Sequence, residues 1–441
     1  MLVLAAPGMV GVDPVDVAAV LNPSILVCTC LVSGLWFYRR TNSGLMSVVV
    51  TAALAFSFPL TWVSSFVWTE PLFVLLTVCS LVLLDSHLRS DSLKVLLLAA
   101  LLAALACLTR YAGIALLASS VLIVLSKPQL TLRQRVVQAL SYSVVAALPL
   151  CLWLLRNHLL VETFVGTRTA GISSFTDNAE RAVLTLVAWT LPWRRLGLGL
   201  ELLISGIPLL AVVGLALAWG WSSSRSRGVR ETISCLKLSN PFPRILAVYA
   251  MVYVAFILVV STAIRIDPIN DRLLVPIFVP LALLAGFALQ RLIEVSKNDR
   301  GERFGVALTV AVVLSAASHV AAYIPELRLA ANKGHGYASR TWETSASIAW
   351  IRRKDSRRLL TNRWDALYLF VPEVAVESLP WDEAQLGAIV SSIGDRRVIW
   401  FHRTRYPYDL TDLSSDLGLR KVAEFDDGVV FEVSPPDGAT P

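Results

Sequence analysis

Between residues 17 and 324 the chain is built almost entirely of apolar runs near the length of a bilayer crossing, and this constrains its fold more than any other feature. A crossing needs about 20 apolar residues. Lipid offers no hydrogen bonds to the backbone, so each such run must pair its own N–H and C=O groups as a helix. Ten runs qualify, at 17–38, 45–63, 70–88, 93–109, 112–126, 136–155, 200–219, 245–263, 273–290 and 305–324. The fourth and fifth are short, with Arg110 between them, and read as two spans or as one broken or re-entrant pair. Only 16% of the residues are charged and 56% are hydrophobic, which excludes an ordinary soluble domain over most of the length.

The net charge of +7 points to the membrane and not to nucleic acid, because the basic residues follow the span ends. Up to residue 324, sixteen Lys and Arg fall in one set of alternate connections and eight in the other. The richer side is therefore expected in the cytoplasm, and both termini outside it. Nothing ahead of residue 17 resembles a signal peptide, so an N-terminal span missing from this sequence is expected. The connection 156–199 is long and external, with Trp189 and Trp193 as expected interfacial anchors.

Residues 325–441 change character. They carry fifteen basic and seventeen acidic side chains, and helix-like stretches (341–353, 364–370, 382–393) alternate with short β-branched or aromatic runs (358–361, 398–402, 429–433). This pattern predicts a small soluble α/β domain outside the cytoplasm. The six cysteines and five histidines show neither zinc nor disulfide spacing.

An unpaired charge inside a bilayer costs on the order of 3 kcal/mol or more, so ionisable residues at span ends are the functional candidates. On the outer side these include Asp13, Asp16, Glu70, Arg110, Arg156, Arg265, Asp267, Asp271 and Arg272. Glu70 reads either as a helix start signal, with Thr69 as N-cap and Pro71 in the first turn, or as a carboxylate facing an outer cavity. Each arginine could snorkel singly; together Arg110, Arg156, Arg265 and Arg272 could converge on a lipid-linked phosphate. Asp267 and Asp271 either neutralise their arginine neighbours or supply a base to an acceptor hydroxyl.

At these positions the chain resembles a known group. Val67-Trp68-Thr69-Glu70-Pro71-Leu72-Phe73, Leu108-Thr109-Arg110-Tyr111-Ala112-Gly113, Leu154-Leu155-Arg156-Asn157 and Asp271-Arg272-Leu273-Leu274-Val275-Pro276 resemble GT-C glycosyltransferases of bacteria and archaea. The branch is that of the protein O-mannosyltransferases and the lipid A aminoarabinose transferase. Gly336-Tyr337-Ala338-Ser339-Arg340-Thr341-Trp342 and Asp365-Ala366-Leu367-Tyr368-Leu369 resemble its external domain. The resemblance runs from residue 11 to about 433.

It implies a polytopic helical membrane enzyme that moves a sugar from a polyprenyl-phosphate donor to an acceptor glycan, lipid or protein outside the cytoplasm. It places Arg272 and Arg110 at the lipid phosphate, with Glu70 and Asp267 lining the cavity. Some members use a divalent cation, which nothing in this sequence requires. The family's catalytic acid sits in a loop after its first span, and residues 11–16 resemble the stretch before the second. The catalytic acid is thus unassigned, and a truncated, inactive homologue stands as an alternative. The other alternative is a transporter or flippase of a lipid-linked or anionic substrate, although related halves and midplane charges are not evident.

Overall fold

A computed structural model describes residues 9–166, 168–190, 240–295, 299–354, 359–380, 383–391, 397–402, 406 and 408–433. The chain divides into a helical unit, Met1–Leu329, and a second unit, Ala330–Pro441.

In the helical unit, α1 (Pro14–Thr41), α2 (Gly44–Ala55), α3 (Phe58–Ser64), α4 (Glu70–Ser90), α5 (Leu93–Thr109), α6 (Gly113–Leu125), α7 (Leu132–Val161), α8 (Phe175–Ala188), α9 (Pro241–Ala263), α10 (Asp271–Val295) and α11 (Asp299–Lys333) follow in order, α11 running just past Leu329. Among the described residues five helices, α1, α4, α7, α9 and α10, are long and apolar enough to cross a bilayer. The stretch expected as a single span at 45–63 is instead α2 and α3, bent by 49°. The break falls at Phe56-Ser57 ahead of Pro59, where the proline removes a backbone donor from the helix. The run 200–219 and Trp193 lie outside the described residues.

Local signals set the helix ends. Asp13 caps α1, Thr131 and Gln134 form a capping box on α7, and Ser174 with Asp177 does the same for α8. Between α5 and α6 the chain turns sharply at Arg110-Tyr111-Ala112. A Cβ on Gly113 would lie 2.7 Å from the Cys107 backbone, so the turn closes only around glycine.

Inside a bilayer, lipid is as apolar as leucine, so helices associate by close packing of small residues and by hydrogen bonds across helices. Buried Ala99, Ala100, Ala103, Ala104 and Ala106 let α5 lie close between α4 and α7, and Ser80 Oγ donates to the Ala99 carbonyl at 2.9 Å. Most of α4 and α10 is enclosed by other helices, while α7 presents most of its surface outward. The central pair are the helices whose first turns carry Glu70 and Arg272.

The second unit is the expected small α/β domain. It comprises α12 (Arg340–Glu343), α13 (Ala346–Lys354), β1 (Leu359–Thr361), α14 (Trp364–Phe370), β2 (Val376–Ser378), α15 (Glu383–Ser391), β3 (Arg397–Phe401), α16 (Leu410–Leu413), β4 (Leu419–Phe425) and β5 (Gly428–Val433). The strand order is β2-β1-β3-β5-β4, parallel across the first three and antiparallel across the last two pairs. Leu360, Val398 and Trp400 pack on one face, and Leu359, Ile399 and Phe401 on the other. Both faces are covered, which is why Leu359-Leu360 of β1 and Val398–Phe401 of β3 are apolar without alternation. The helix expected at 341–353 is interrupted at Thr344-Ser345, because Ser345 and Ser347 turn to Asp427 in the β4–β5 turn and start α13 afresh.

Candidate functional site

Glu70 is the first residue of α4, and its side chain is completely buried. Thr69 stands at the N-cap position, but its side chain makes no capping hydrogen bond. Pro71 enters the first turn, where its missing N–H leaves no unsatisfied donor, and the positive helix end favours the carboxylate. That field is worth about 0.3–1 kcal/mol, far below the cost of enclosing a charge, so opposite charges must complete the site.

Two guanidinium groups do so on a single oxygen. Arg110 Nη1 pairs with Glu70 Oε1, and Arg272 Nε donates to the same oxygen at 2.5 Å. Arg110 is the C-cap of α5 with an extended backbone (φ −150°, ψ 134°), which turns its side chain out of the helix. Arg272 sits in the first turn of α10, and its Nη1 donates to Asp267 Oδ2 at 3.0 Å. Its guanidinium carbon also lies 4.5 Å from the Trp68 ring centroid. Phe66 stacks on Trp68 at 4.1 Å with 10° between planes, and Asn22 Nδ2 of α1 fixes this turn by donating to the Phe66 carbonyl at 2.6 Å. Four helices therefore position one pair of arginines. Each guanidinium has five N–H groups, so both keep donors beyond those engaged by Glu70 and Asp267.

Glu70 Oε2 is buried with no hydrogen-bond partner among the described residues. Such an acceptor costs about 1–3 kcal/mol unless the adjacent cations stabilise it, as they do here. The donor set does not suit a divalent cation. Guanidinium groups occupy the surroundings of Glu70, and among the described residues no three His, Cys, Asp or Glu side chains come together around a common point.

The structure thus brings together Glu70, Arg110, Arg272 and Asp267, separated in sequence by up to 202 positions. Arg156 is placed elsewhere, exposed on α7 with its guanidinium 5.1 Å from the Trp153 ring centroid. The expected convergence of four arginines is corrected on this point: α7 is a peripheral helix, and an arginine at its end reaches along its own surface. The Arg265 backbone N–H donates to the Thr169 carbonyl at 2.9 Å beside the Ala170–Ile264 bridge.

Asp271 belongs to a constellation that sequence reasoning missed. Its Oδ1 accepts from Trp189 Nε1 at 2.7 Å, the Trp189 carbonyl is 2.8 Å from His319 Nε2, and His319 Nδ1 accepts from the Phe58 N–H at 3.3 Å. Trp189 is buried, and so does not serve as the interfacial anchor expected of it. Around this chain opens a cavity of about 410 Å³, lined in part by Phe58, Trp62, Arg181, Asn270, Asp271 and His319. No sequence motif announced it, because its residues come from four separated segments.

A second buried carboxylate, also unanticipated, lies fifteen residues along α4. Asp85 pairs with Arg40, has Arg89 Nη2 at 3.6 Å and accepts from Trp36 Nε1 at 2.9 Å. At about 1.5 Å per residue this cluster is at the other end of the same helix. It forms a polar clamp in which Arg89 is half exposed, and the Glu70 cluster differs by adding a second acid, Asp267, whose side chain is 62% exposed.

No family model matches the sequence, and no curated protein matches it. Among solved structures the chain is similar to ArnT from Cupriavidus metallidurans bound to undecaprenyl phosphate, with a TM-score of 0.53 and 14% identity over 97% of this chain and 85% of that one. The chain has the GT-C fold. At this identity the likeness concerns architecture, and it extends over both the helical unit and the α/β domain. Archaeal oligosaccharyltransferase AglB from Archaeoglobus fulgidus, in complex with an inhibitory peptide and a dolichol-phosphate, aligns at a TM-score of 0.44 and 11% identity, over 88% of this chain and 58% of that one. The chain is a multi-pass membrane protein of GT-C architecture.

Proposed function

We propose that the protein is a membrane glycosyltransferase that takes a sugar from a polyprenyl-phosphate donor and passes it to an acceptor outside the cytoplasm. The observation that carries this reading is the arginine pair, Arg110 and Arg272, held on one oxygen of the fully buried Glu70 at the start of α4. ArnT, whose fold the chain shares, was solved with undecaprenyl phosphate, which supports a lipid phosphate as the ligand of such a pair.

The chemistry follows from charge. In transfer, an acceptor hydroxyl attacks the anomeric carbon, the bond from that carbon to the phosphate oxygen breaks, and the hydroxyl proton passes to a base. The departing polyprenyl phosphate gains one negative charge as the bond breaks. Two fixed guanidinium groups therefore bind the transition state more strongly than the donor, which is the condition for catalysis. Arginine suits this task because its planar fork meets phosphate oxygens two at a time and stays charged. Glu70 orients the pair and is itself too enclosed to meet an acceptor. Of the two acids considered as base, Asp267 keeps solvent access, while Asp271 is engaged by Trp189.

The sixteen-to-eight bias of basic residues supports an extracytoplasmic site, with the α/β domain on the same side. The reading is tested by titrating undecaprenyl phosphate, with undecaprenol as the uncharged control, into the purified protein in nanodiscs. The phosphate should raise the unfolding temperature and the alcohol should not. Equal effects of the two would remove the basis for a phosphate site.

A further inference from the structure

We propose that the end of the helical unit opposite Glu70 carries a binding site for an anionic phospholipid, built on Arg40, Arg89 and Lys94. Such a site is independent of the glycosyl transfer proposed above.

The 21 residues of α4 rise about 30 Å, the thickness of the hydrocarbon core, so Arg89 in its last turn lies at headgroup depth when Glu70 lies at the other face. α1 runs alongside α4 in the same direction: Asn22 bonds to the turn that precedes Glu70, and Arg40 pairs with Asp85. Five basic side chains gather at this end, Arg39 and Arg40 of α1, Arg89 of α4, Lys94 of α5 and Lys127 after α6, against two acids, Asp85 and Asp91. Asp91 engages Lys127, and Asp85 engages Arg40. Arg89 is held more loosely. Its Nη2 stands 3.6 Å from Asp85 Oδ2, beyond hydrogen-bond range, and its Nε makes a long bond of 3.4 Å to the Asp85 carbonyl. Its side chain is 50% exposed, so most of its donors face outward. Asp85, wholly buried and fixed by Trp36, thus anchors two guanidinium groups while cancelling only one of their charges.

Lys94 separates this patch from ordinary helix ends. Arginines in the last turns of α1 and α4 suit the negative ends of those helices in any case. Lys94 stands instead in the first turn of α5, where the helix dipole repels a cation, and it is exposed with no side-chain partner among the described residues. An anion at this point offsets the repulsion. The face below Lys94 then suits acyl chains: Lys94, Leu98, Leu101 and Leu105 recur at helical spacing and are all exposed, while the alanines of α5 are buried on its other side. A phosphodiester between Arg89 and Lys94, which flank the α4–α5 turn, leaves its chains along that leucine stripe. Phosphatidylcholine brings a cation of its own to the patch, whereas phosphatidylglycerol does not. The bias of basic residues assigns this face to the cytoplasmic leaflet, which carries anionic lipid.

The full chain in nanodiscs of phosphatidylcholine, with and without phosphatidylglycerol, tests the site. Phosphatidylglycerol should raise the unfolding temperature by several degrees. Native mass spectrometry should find it retained about tenfold more tightly than phosphatidylcholine. Arg89→Gln combined with Lys94→Gln should remove both differences and leave the unfolding temperature in phosphatidylcholine unchanged, since neither side chain is buried. Should the double variant fold poorly, Lys94→Gln alone, which removes no contact within the protein, should still weaken phosphatidylglycerol retention severalfold. Arg156→Gln, at the other end of the helical unit, should keep the full preference. Equal retention of the two lipids, a preference that survives Lys94→Gln, or an equal loss in Arg156→Gln would overturn the proposal. Glycerol phosphate, which lacks acyl chains, should not stabilise the protein; an effect equal to that of phosphatidylglycerol would also overturn it. Stabilisation by polyglutamate without any by phosphatidylglycerol would assign the patch to an acidic polypeptide instead.

Discussion

Arg272 and Glu70 stand 202 positions apart in the sequence and meet at 2.5 Å in the fold, each in the first turn of a central helix. The contact ties α10 to α4, and Arg110 on the same carboxylate oxygen ties α5 to both. Glu70→Gln keeps the shape and removes the charge, leaving two guanidinium groups without their shared counter-ion. Breaking a buried ion pair from one side costs about 3–5 kcal/mol, discounted here because both arginines are partly exposed. Thermal unfolding should show a fall of several degrees, together with weakened undecaprenyl phosphate binding. An unchanged unfolding temperature would show that Glu70 is not the anchor.

Trp68 offers a finer test. Its ring under Arg272 contributes about 0.5–2 kcal/mol by attraction of the cation to the aromatic face. Trp68→Leu should weaken undecaprenyl phosphate binding severalfold, and Trp68→Phe should restore part of it. Equal binding by the two variants would assign Trp68 a packing role alone.

The two carboxylates of α4 should separate in behaviour. Asp85→Asn breaks the clamp to Arg40 and Trp36 and should lower the unfolding temperature, while undecaprenyl phosphate binds the surviving fold with unchanged affinity. A loss of affinity equal to that of Glu70→Gln would mean the two ends of the helix are coupled.

Outside the spans, Asp177 titrates abnormally. Hydrogen bonds from the Ser174 hydroxyl and N–H hold its carboxyl below the ordinary 3.8, with Arg181 adding a smaller pull the same way. Because the folded pKa is depressed, its contribution to capping α8 is present above 3.8 and is lost as pH falls through the lower folded value. Carboxyl carbon NMR should give a midpoint below 3.8, and Ser174→Ala should return it toward that figure. A wild-type midpoint at 3.8 would contradict the capping geometry.

Much of this was legible because lipid leaves a chain few choices. The apolar runs had to be helices, and their ends had to carry the charges, so Glu70, Arg110, Arg272 and Asp267 stood out before any coordinates. The tryptophan–aspartate contact and His319 did not, since His319 lies within an apolar run and Trp189 looked like an interface residue. Position in the bundle was equally hidden: Arg156 and Arg110 end similar hydrophobic runs, yet α7 presents most of its surface outward while α5 buries an alanine face against α4 and α7. In the second unit, β4 escaped notice because Leu419–Phe425 is an edge strand whose Arg420, Lys421 and Glu424 replace the apolar alternation. The three-residue β2, with Glu377 and Ser378 both exposed, had too little pattern to read.

Sidedness is open to direct measurement. A reporter enzyme active only outside the cytoplasm, fused after residue 324, should be active if the bias of basic residues orients the bundle as argued. Activity only of a cytoplasmic reporter would invert the topology and move the arginine pair to the wrong face.

The central claim is tested most directly by undecaprenyl phosphate affinity across three arginine variants in nanodiscs. Arg272→Ala and Arg110→Ala should each weaken binding by tenfold or more, about 1.4 kcal/mol at least, while Arg156→Ala on the periphery leaves it unchanged. Unchanged binding in both Arg272→Ala and Arg110→Ala, or an equal loss in all three, would contradict the account.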